Sequence, residues 1–119
     1  MTTTQSFVDE ILDRLQQTGD VSCRKMFGGH GLFHNGLMFA IIADNELYLK
    51  ADPLSVHFFN DAGLSAFSYS KANGKVFQMS YYQAPESFFE DNDETLLWTQ
   101  RAREAALRVP RKVPVKQAG

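Results

Sequence analysis

Apolar positions along the chain switch between a helical and a strand period, and the switches divide it into elements. Phe7, Val8, Ile11, Leu12 and Leu15 form one stripe, with Asp9, Glu10, Asp13, Arg14, Gln16 and Gln17 around the remainder. That spacing predicts an amphipathic helix over residues 5–18. Thr3, Thr4 or Ser6 supplies its capping oxygen, and Gly19 its stop. From Arg24 to Asp52 the period changes to that of strands broken by turns. His34-Asn35-Gly36-Leu37 places an Asn-Gly pair between two apolar runs, the strongest short-range hairpin signal, because a type I′ turn needs positive φ at both central residues. Asp44-Asn45 supplies a second turn, between Phe39–Ala43 and Glu46–Lys50.

Around this centre the rest of the chain reads as cover and extension. Val21 to Phe27 predicts a first strand, with Gly28-Gly29 as its turn, and Gly31 to Phe33 begins the next. Met38 to Ala43 is apolar on both faces, as expected of a central strand. In Glu46 to Lys50, Leu47 and Leu49 point one way, and Glu46, Tyr48 and Lys50 the other. Asp52-Pro53 starts a second helix, whose buried face is Leu54, Phe58 and Ala62 with Phe59 beside them, and which Gly63 ends. Ala66 to Ser70 and Val76 to Tyr82 are two more strands, joined across Asn73-Gly74, with Phe77, Met79 and Tyr81 sharing one face. Pro85 opens a short turn or helix through Phe89. Asn92 or Asp93 then caps a last helix to about Arg108, with Trp98, Ala102, Ala105, Ala106 and Val109 on its apolar side. Three alanines on that side imply a close approach to the sheet or to a partner helix.

The order condenses to α-β(3)-α-β(2)-α. The expected class is α+β, with helices packed on a largely antiparallel five-stranded sheet. The crossover through the second helix leaves room for one parallel contact.

Composition adds limits. The 119 residues suit one domain, and ten phenylalanines make its core aromatic. The net charge of −2 gives the chain as a whole no strong pull on nucleic acid or anionic membrane. No apolar run approaches the ~20 residues that span a bilayer, and the N-terminus lacks a signal pattern. A cytoplasmic location without membrane contact is the simplest reading. One cysteine, Cys23, excludes an internal disulfide framework and a multi-cysteine zinc site.

Candidate chemistry is sparse. Gly28-Gly29-His30-Gly31 lacks the phosphate-loop spacing, and no helix follows it in sequence to receive an anion, so the glycines read as a turn. His30, His34 and His57 have no Asp, Glu or Cys at metal-motif spacing, and no metal or cofactor is expected. Cys23 precedes Arg24-Lys25, yet strand neighbours point to opposite faces, so the thiol reads as a half-buried filler and not as a nucleophile. Glu86, Glu90, Asp91, Asp93 and Glu94 lie at a helix start, where acids favour the dipole. From Arg101 to Gly119 the cations Arg101, Arg103, Arg108, Arg111, Lys112 and Lys116 face Glu104 alone, a net of +5. A basic segment of this kind adds salt-sensitive affinity for nucleic acid, with Arg101, Arg108, Arg111, Lys112 and Lys116 as its contacts. Tyr48 and Lys50 share a strand face, and Arg24 and Lys25 lie close in the expected sheet. These four make a candidate surface for a protein partner.

Met26-Phe27-Gly28-Gly29 with Gly31, Leu47-Tyr48-Leu49-Lys50 with Asp52, and Met79-Ser80-Tyr81 with Pro85 occur in order, ahead of the Leu96–Arg108 helix. Over about residues 5–109 this series resembles the N-terminal domain of the TfoX/Sxy family of bacterial competence regulators. The resemblance implies an α-β(3)-α-β(2)-α fold with secretion-chaperone-like topology. It also implies a two-part regulator that helps a catabolite-activator-type transcription factor, this domain being followed by a helical one. The chain ends at Gly119, so the expectation is a stand-alone domain over 1–109 with a flexible basic tail over 110–119. Its expected role is a nonenzymatic regulatory or adaptor module that binds protein, with transcription machinery as the partner class. A nucleic-acid-binding module is the alternative, and a small cysteine or histidine enzyme stands behind both. An edge strand or the alanine-rich helix offers a surface for a homodimer.

Overall fold

The computed structural model describes residues 3–26, 28–70 and 73–109. Helix α1 spans Gln5–Leu15 and runs into one 3₁₀ turn, Gln16–Thr18. Thr4 caps it, its hydroxyl accepting from the Phe7 N–H at 3.3 Å. Gly19, at φ +117°, ends it. Val8, Ile11 and Leu15 form its buried stripe, as the period predicts.

Four strands follow where the expected order has three: β1 Ser22–Met26, β2 Gly29–His34, β3 Leu37–Ala43 and β4 Glu46–Lys50. The reason is local. Three turns cut this stretch, and each separates a pair of antiparallel strands. Asn35 and Gly36 take φ of 52° and 79°, and Asp44 and Asn45 take 53° and 58°, as type I′ turns require. Gly28, at φ +74°, makes the third.

Helix α2 is shorter and later than expected, at Val56–Asp61. Asp52 and Ser55 close the turn before it reciprocally: the Asp52 N–H donates to Ser55 Oγ at 3.0 Å, and the Ser55 N–H donates to Asp52 Oδ1 at 3.1 Å. Starting three residues late rotates the buried face onto Phe59. Leu54 is 66% exposed, and Ala62 is also exposed. Strands β5 Ala66–Ser70 and β6 Val76–Gln83 form a hairpin. Helix α3 is Ser87–Glu90, and α4 is Asn92–Arg108. Asp91, one residue before the expected cap, accepts from the Asp93 N–H at 2.8 Å.

The sheet therefore has six strands, in the order β1-β2-β3-β4-β6-β5, and every pairing among the described residues is antiparallel. No parallel contact forms, because the β5–β6 hairpin docks by its second strand and places β6 beside β4. The α+β class and the packed helices stand as expected.

The two sheet faces differ. Helices cover one, enclosing Leu32, Phe39, Ile42, Leu47 and Leu49 with Val8, Ile11, Leu15, Phe59, Phe88 and Trp98. Tyr82 stacks on Phe59 at 5.4 Å between ring centroids, and Phe59 meets Trp98 at 5.0 Å. Helix α4 lies against β3 and β4 with Ala102, Ala105 and Ala106 buried. Small side chains there let the helix backbone approach the sheet.

Candidate functional site

The other face carries a second cluster, built from strand residues: Ile41, Phe67 and Tyr81 are buried, with Met38, Ala43, Tyr48 and Met79 half-buried against them. Register explains the grouping, since directly opposed residues share a face. Arg24 pairs with Gly31, Gly31 with Ile41, Ile41 with Tyr48, and Tyr48 with Gln83, so these five make one row across β1, β2, β3, β4 and β6. The next row pairs Lys50 with Tyr81.

Tyr81 spans the sheet to donate its hydroxyl to the Met38 carbonyl at 3.2 Å, and burial pushes its phenol up to about 12. The Tyr48 ring meets Phe67 at 4.9 Å. Its phenol is raised by burial first, then by Glu46 and Asp44. Lys50 lies over the Tyr81 ring at 4.9 Å and donates to Ser80 Oγ at 2.6 Å. Burial lowers its pKa while Asp52 pulls the other way. Arg24 sits over Phe33 at 4.6 Å. The face is thus aromatic and sulfur-rich at its centre, with cations held over rings on two sides. Such a surface suits contact with another chain.

Of the four residues expected to form a partner surface, Arg24, Tyr48 and Lys50 share this face. Arg24 stands three strands from Tyr48, about 14 Å at ordinary strand spacing. Lys25 does not share it. It pairs with His30, His30 with Ile42, and Ile42 with Leu47, which is a row of the helix-covered face.

The basic C-terminal set divides differently. The Arg101 guanidinium stacks on Phe58 at 3.6 Å and approaches Trp98 at 4.9 Å. Arg108 makes a two-pronged pair with Asp52, Nε to Oδ2 at 2.6 Å and Nη2 to Oδ1 at 3.0 Å. That pair, with Ser55, holds the Asp52 carboxyl at about 2. Arg111, Lys112 and Lys116 lie outside the described residues. Arg103 donates to the carbonyl and hydroxyl of Thr18, tying α4 to the end of α1.

Cys23 is half-buried against the main core, and burial pushes its thiol up, away from the thiolate. His34 Nδ1 donates to the Asp20 carbonyl at 2.9 Å, and the His57 ring meets that of Phe58, tilted by 37°, at 4.0 Å between centroids. The described residues contain no group of three or more His, Cys, Asp or Glu able to hold a metal ion, and no helix long and apolar enough to cross a membrane.

Sequence reasoning missed the centre of the open face. The alternation over Val76–Tyr82 groups Met79 with Tyr81, but nothing in that run says which face the helices leave bare. It also missed Asp52 as the acceptor for Arg108, because 56 residues separate them.

The sequence matches a known family: the model of the TfoX N-terminal domain fits residues 13–106. The chain belongs to this family. The matched span holds all six strands, α2, α3, most of α4 and the last turn of α1. The DNA transformation protein TfoX of Haemophilus influenzae is 29% identical over 87 residues, which are 71% of this chain and 40% of that protein. Protein Sxy of Escherichia coli K12 is 27% identical over 94 residues, 79% of this chain and 44% of that protein. The DNA transformation protein TfoX1 of Aliivibrio fischeri is 28% identical over 96 residues, 81% and 46%. The TfoX-like part therefore spans less than half the length of each of these curated relatives.

Proposed function

We propose that this TfoX N-terminal domain is a nonenzymatic regulatory module in the control of DNA transformation, and that it acts by binding a protein through its open sheet face. The observation that carries the reading is the group Arg24, Tyr48 and Lys50 with half-buried Met38 and Met79, which stands over a buried layer of Ile41, Phe67 and Tyr81 on a sheet face to which no described helix contributes. The relatives named as DNA transformation proteins supply the process. Arg24 and Lys50 flank the apolar centre, so the partner surface is acidic at its rim. A transcription component, either RNA polymerase or a catabolite-activator-type factor, is the partner class.

The basic C-terminal segment supports a nucleic-acid role less well. Arg101 is committed to Phe58 and Arg108 to Asp52, so two of its five contact cations already have intramolecular partners.

The test compares the tagged chain with its Tyr48→Ala/Lys50→Ala variant as bait in nuclease-treated lysate of its own host. Recovery of polymerase or of the activator-type factor by the wild type, reduced by about 10-fold or more in the variant, is expected for side chains at the centre of an interface. Equal recovery by both baits removes the open face from the reading. Recovery of the bait alone removes the adaptor role.

A further inference from the structure

Helix α4 turns its alanines to the sheet and its leucines to solvent. Trp98, Ala102, Ala105 and Ala106 are buried, which closes the alanine side as a homodimer surface. Leu96, Leu97 and Leu107 are 41%, 39% and 61% exposed on the outer side. Leucines scattered singly over a surface need no account. These are aligned. At 3.6 residues per turn, Leu96, Gln100 and Leu107 fall within a sector of about 40°, with Leu97 beside it. The outer side of a surface helix is ordinarily polar.

Leu107 also borders a concave slot of about 100 Å³. Leu37, Phe39 and Ala106 form the rest of its apolar lining, and Arg103 and the β2–β3 turn complete it. The slot lies at the C-terminal end of α4. Leu96 stands three turns away on the same side of the helix, about 16 Å along its axis. Leucine and slot of one copy therefore cannot meet. A two-fold axis across the middle of α4 brings each Leu96 to the Leu107 and slot of a second copy.

Charge selects the same arrangement. Over residues 91–97, Asp91, Asp93 and Glu94 face no cation, and over 101–108, Arg101, Arg103 and Arg108 face Glu104 alone. A parallel pair of helices sets acids beside acids. An antiparallel pair sets each half against its opposite, which fixes orientation and register. With Leu96 over Leu107, Asp93 comes within one turn of Arg108 of the other copy. Arg108 commits Nε and Nη2 to Asp52, which leaves Nη1 as a donor for a second carboxylate.

We infer that the outer face of α4 is a docking site for a second copy of this chain. The two α4 helices pack antiparallel, with Leu96 of each seated in the slot beside Leu107 of the other. Helix α4 lies on the far side of the sheet from Tyr48 and Lys50, so this surface and the proposed partner face stand or fall separately.

The experiment is sedimentation velocity of the full chain over a wide range of concentration. One helix per copy makes a small interface, so the expected result is a monomer–dimer equilibrium with Kd on the order of 50 µM. Leu96→Ser and Leu107→Ser each raise Kd by about 10-fold or more, as truncation at the centre of an interface does. Val76→Ser, at a residue 67% exposed on the β5–β6 hairpin, leaves it unchanged. Circular dichroism equal to that of the wild type shows each variant folded. A nitroxide on Asp93→Cys, in a Cys23→Ser background, reads the orientation when mixed with ¹⁵N-labelled wild type. It broadens the Leu107 and Arg108 amides more than those of Asp93 and Glu94. A monomer at every concentration gives the face to residues 110–119 or to a different protein, and overturns the proposal. A dimer that both leucine variants leave intact, that Val76→Ser weakens equally, or whose broadening is strongest at residues 92–94 overturns it as well.

Discussion

Gly29 and Gly31 sit two residues apart on one strand and are glycine for different reasons. A Cβ at Gly29 would run into the Ile42 carbonyl oxygen and the Ala43 backbone, which the β2–β3 ladder holds in place. A Cβ at Gly31 would meet the sulfurs of Met26 and Met38, the ends of flexible side chains that can turn aside. Gly29→Ala is therefore expected to cost about 2 kcal/mol or more, in the range of overpacked cores, and Gly31→Ala distinctly less. Urea unfolding of the two variants measures the difference, and equal losses would show that the β2–β3 backbone yields as readily as a methionine. The same contrast explains what a motif reader can extract here. A Gly-rich run announces tight backbone, but the collision partner lies on another strand.

At the scale of elements, Asp52 joins the turn before α2 to the last residue of α4. Its carboxyl accepts from Ser55 on one side and from both prongs of Arg108 on the other. The folded state holds it at about 2, against an ordinary 3.8, with the Arg108 hydrogen bond as the largest cause. A depressed acid stabilises the fold above its unfolded pKa and loses that contribution as pH falls through the folded one. The stability gap between wild type and Asp52→Asn, followed by urea unfolding, is thus expected to be full above pH 4 and to close as pH approaches 2. A gap that stays constant over this range would assign the effect of the substitution to the Ser55 turn alone. Arg108 remains 36% exposed, so added salt weakens the pair and narrows the gap at neutral pH as well. The extent of α4 was legible from its alanines and its acidic start, and only its cap moved by one residue. The α2 face was not, because Asp52-Pro53 reads as a helix start while the Asp52–Ser55 turn consumes the first three positions.

For the whole molecule, the sheet has β3 and β4 at its centre and β1 and β5 as its two edge strands. Burial concentrates in β3 and β4, where Phe39, Ile41, Ile42, Leu47 and Leu49 are sealed. Hydrogen exchange in the native state should find the Ile41, Ile42 and Leu49 amides opening only with global unfolding. Those of β1 should open at lower free energy. Equal protection across the sheet would mean that β1 is held by a contact this fold does not account for.

Much of this protein was set by short stretches of sequence. Asn35-Gly36 and Asp44-Asn45 mark type I′ turns because these residues tolerate positive φ at low cost, and the stripe on α1 follows from helical period. The α+β class and the family resemblance rest on such local marks. Which strand lies beside which did not. The choice of β6 over β5 as the neighbour of β4, the second cluster of Ile41, Phe67 and Tyr81, the clamp from Arg108 to Asp52 and the approach of α1 to Lys25 and His30 all join distant parts of the chain. Local pattern specifies which residues must be buried. The partners that bury them are selected by packing the whole chain at once, and a strand's two faces stay equivalent until the helices have covered one of them.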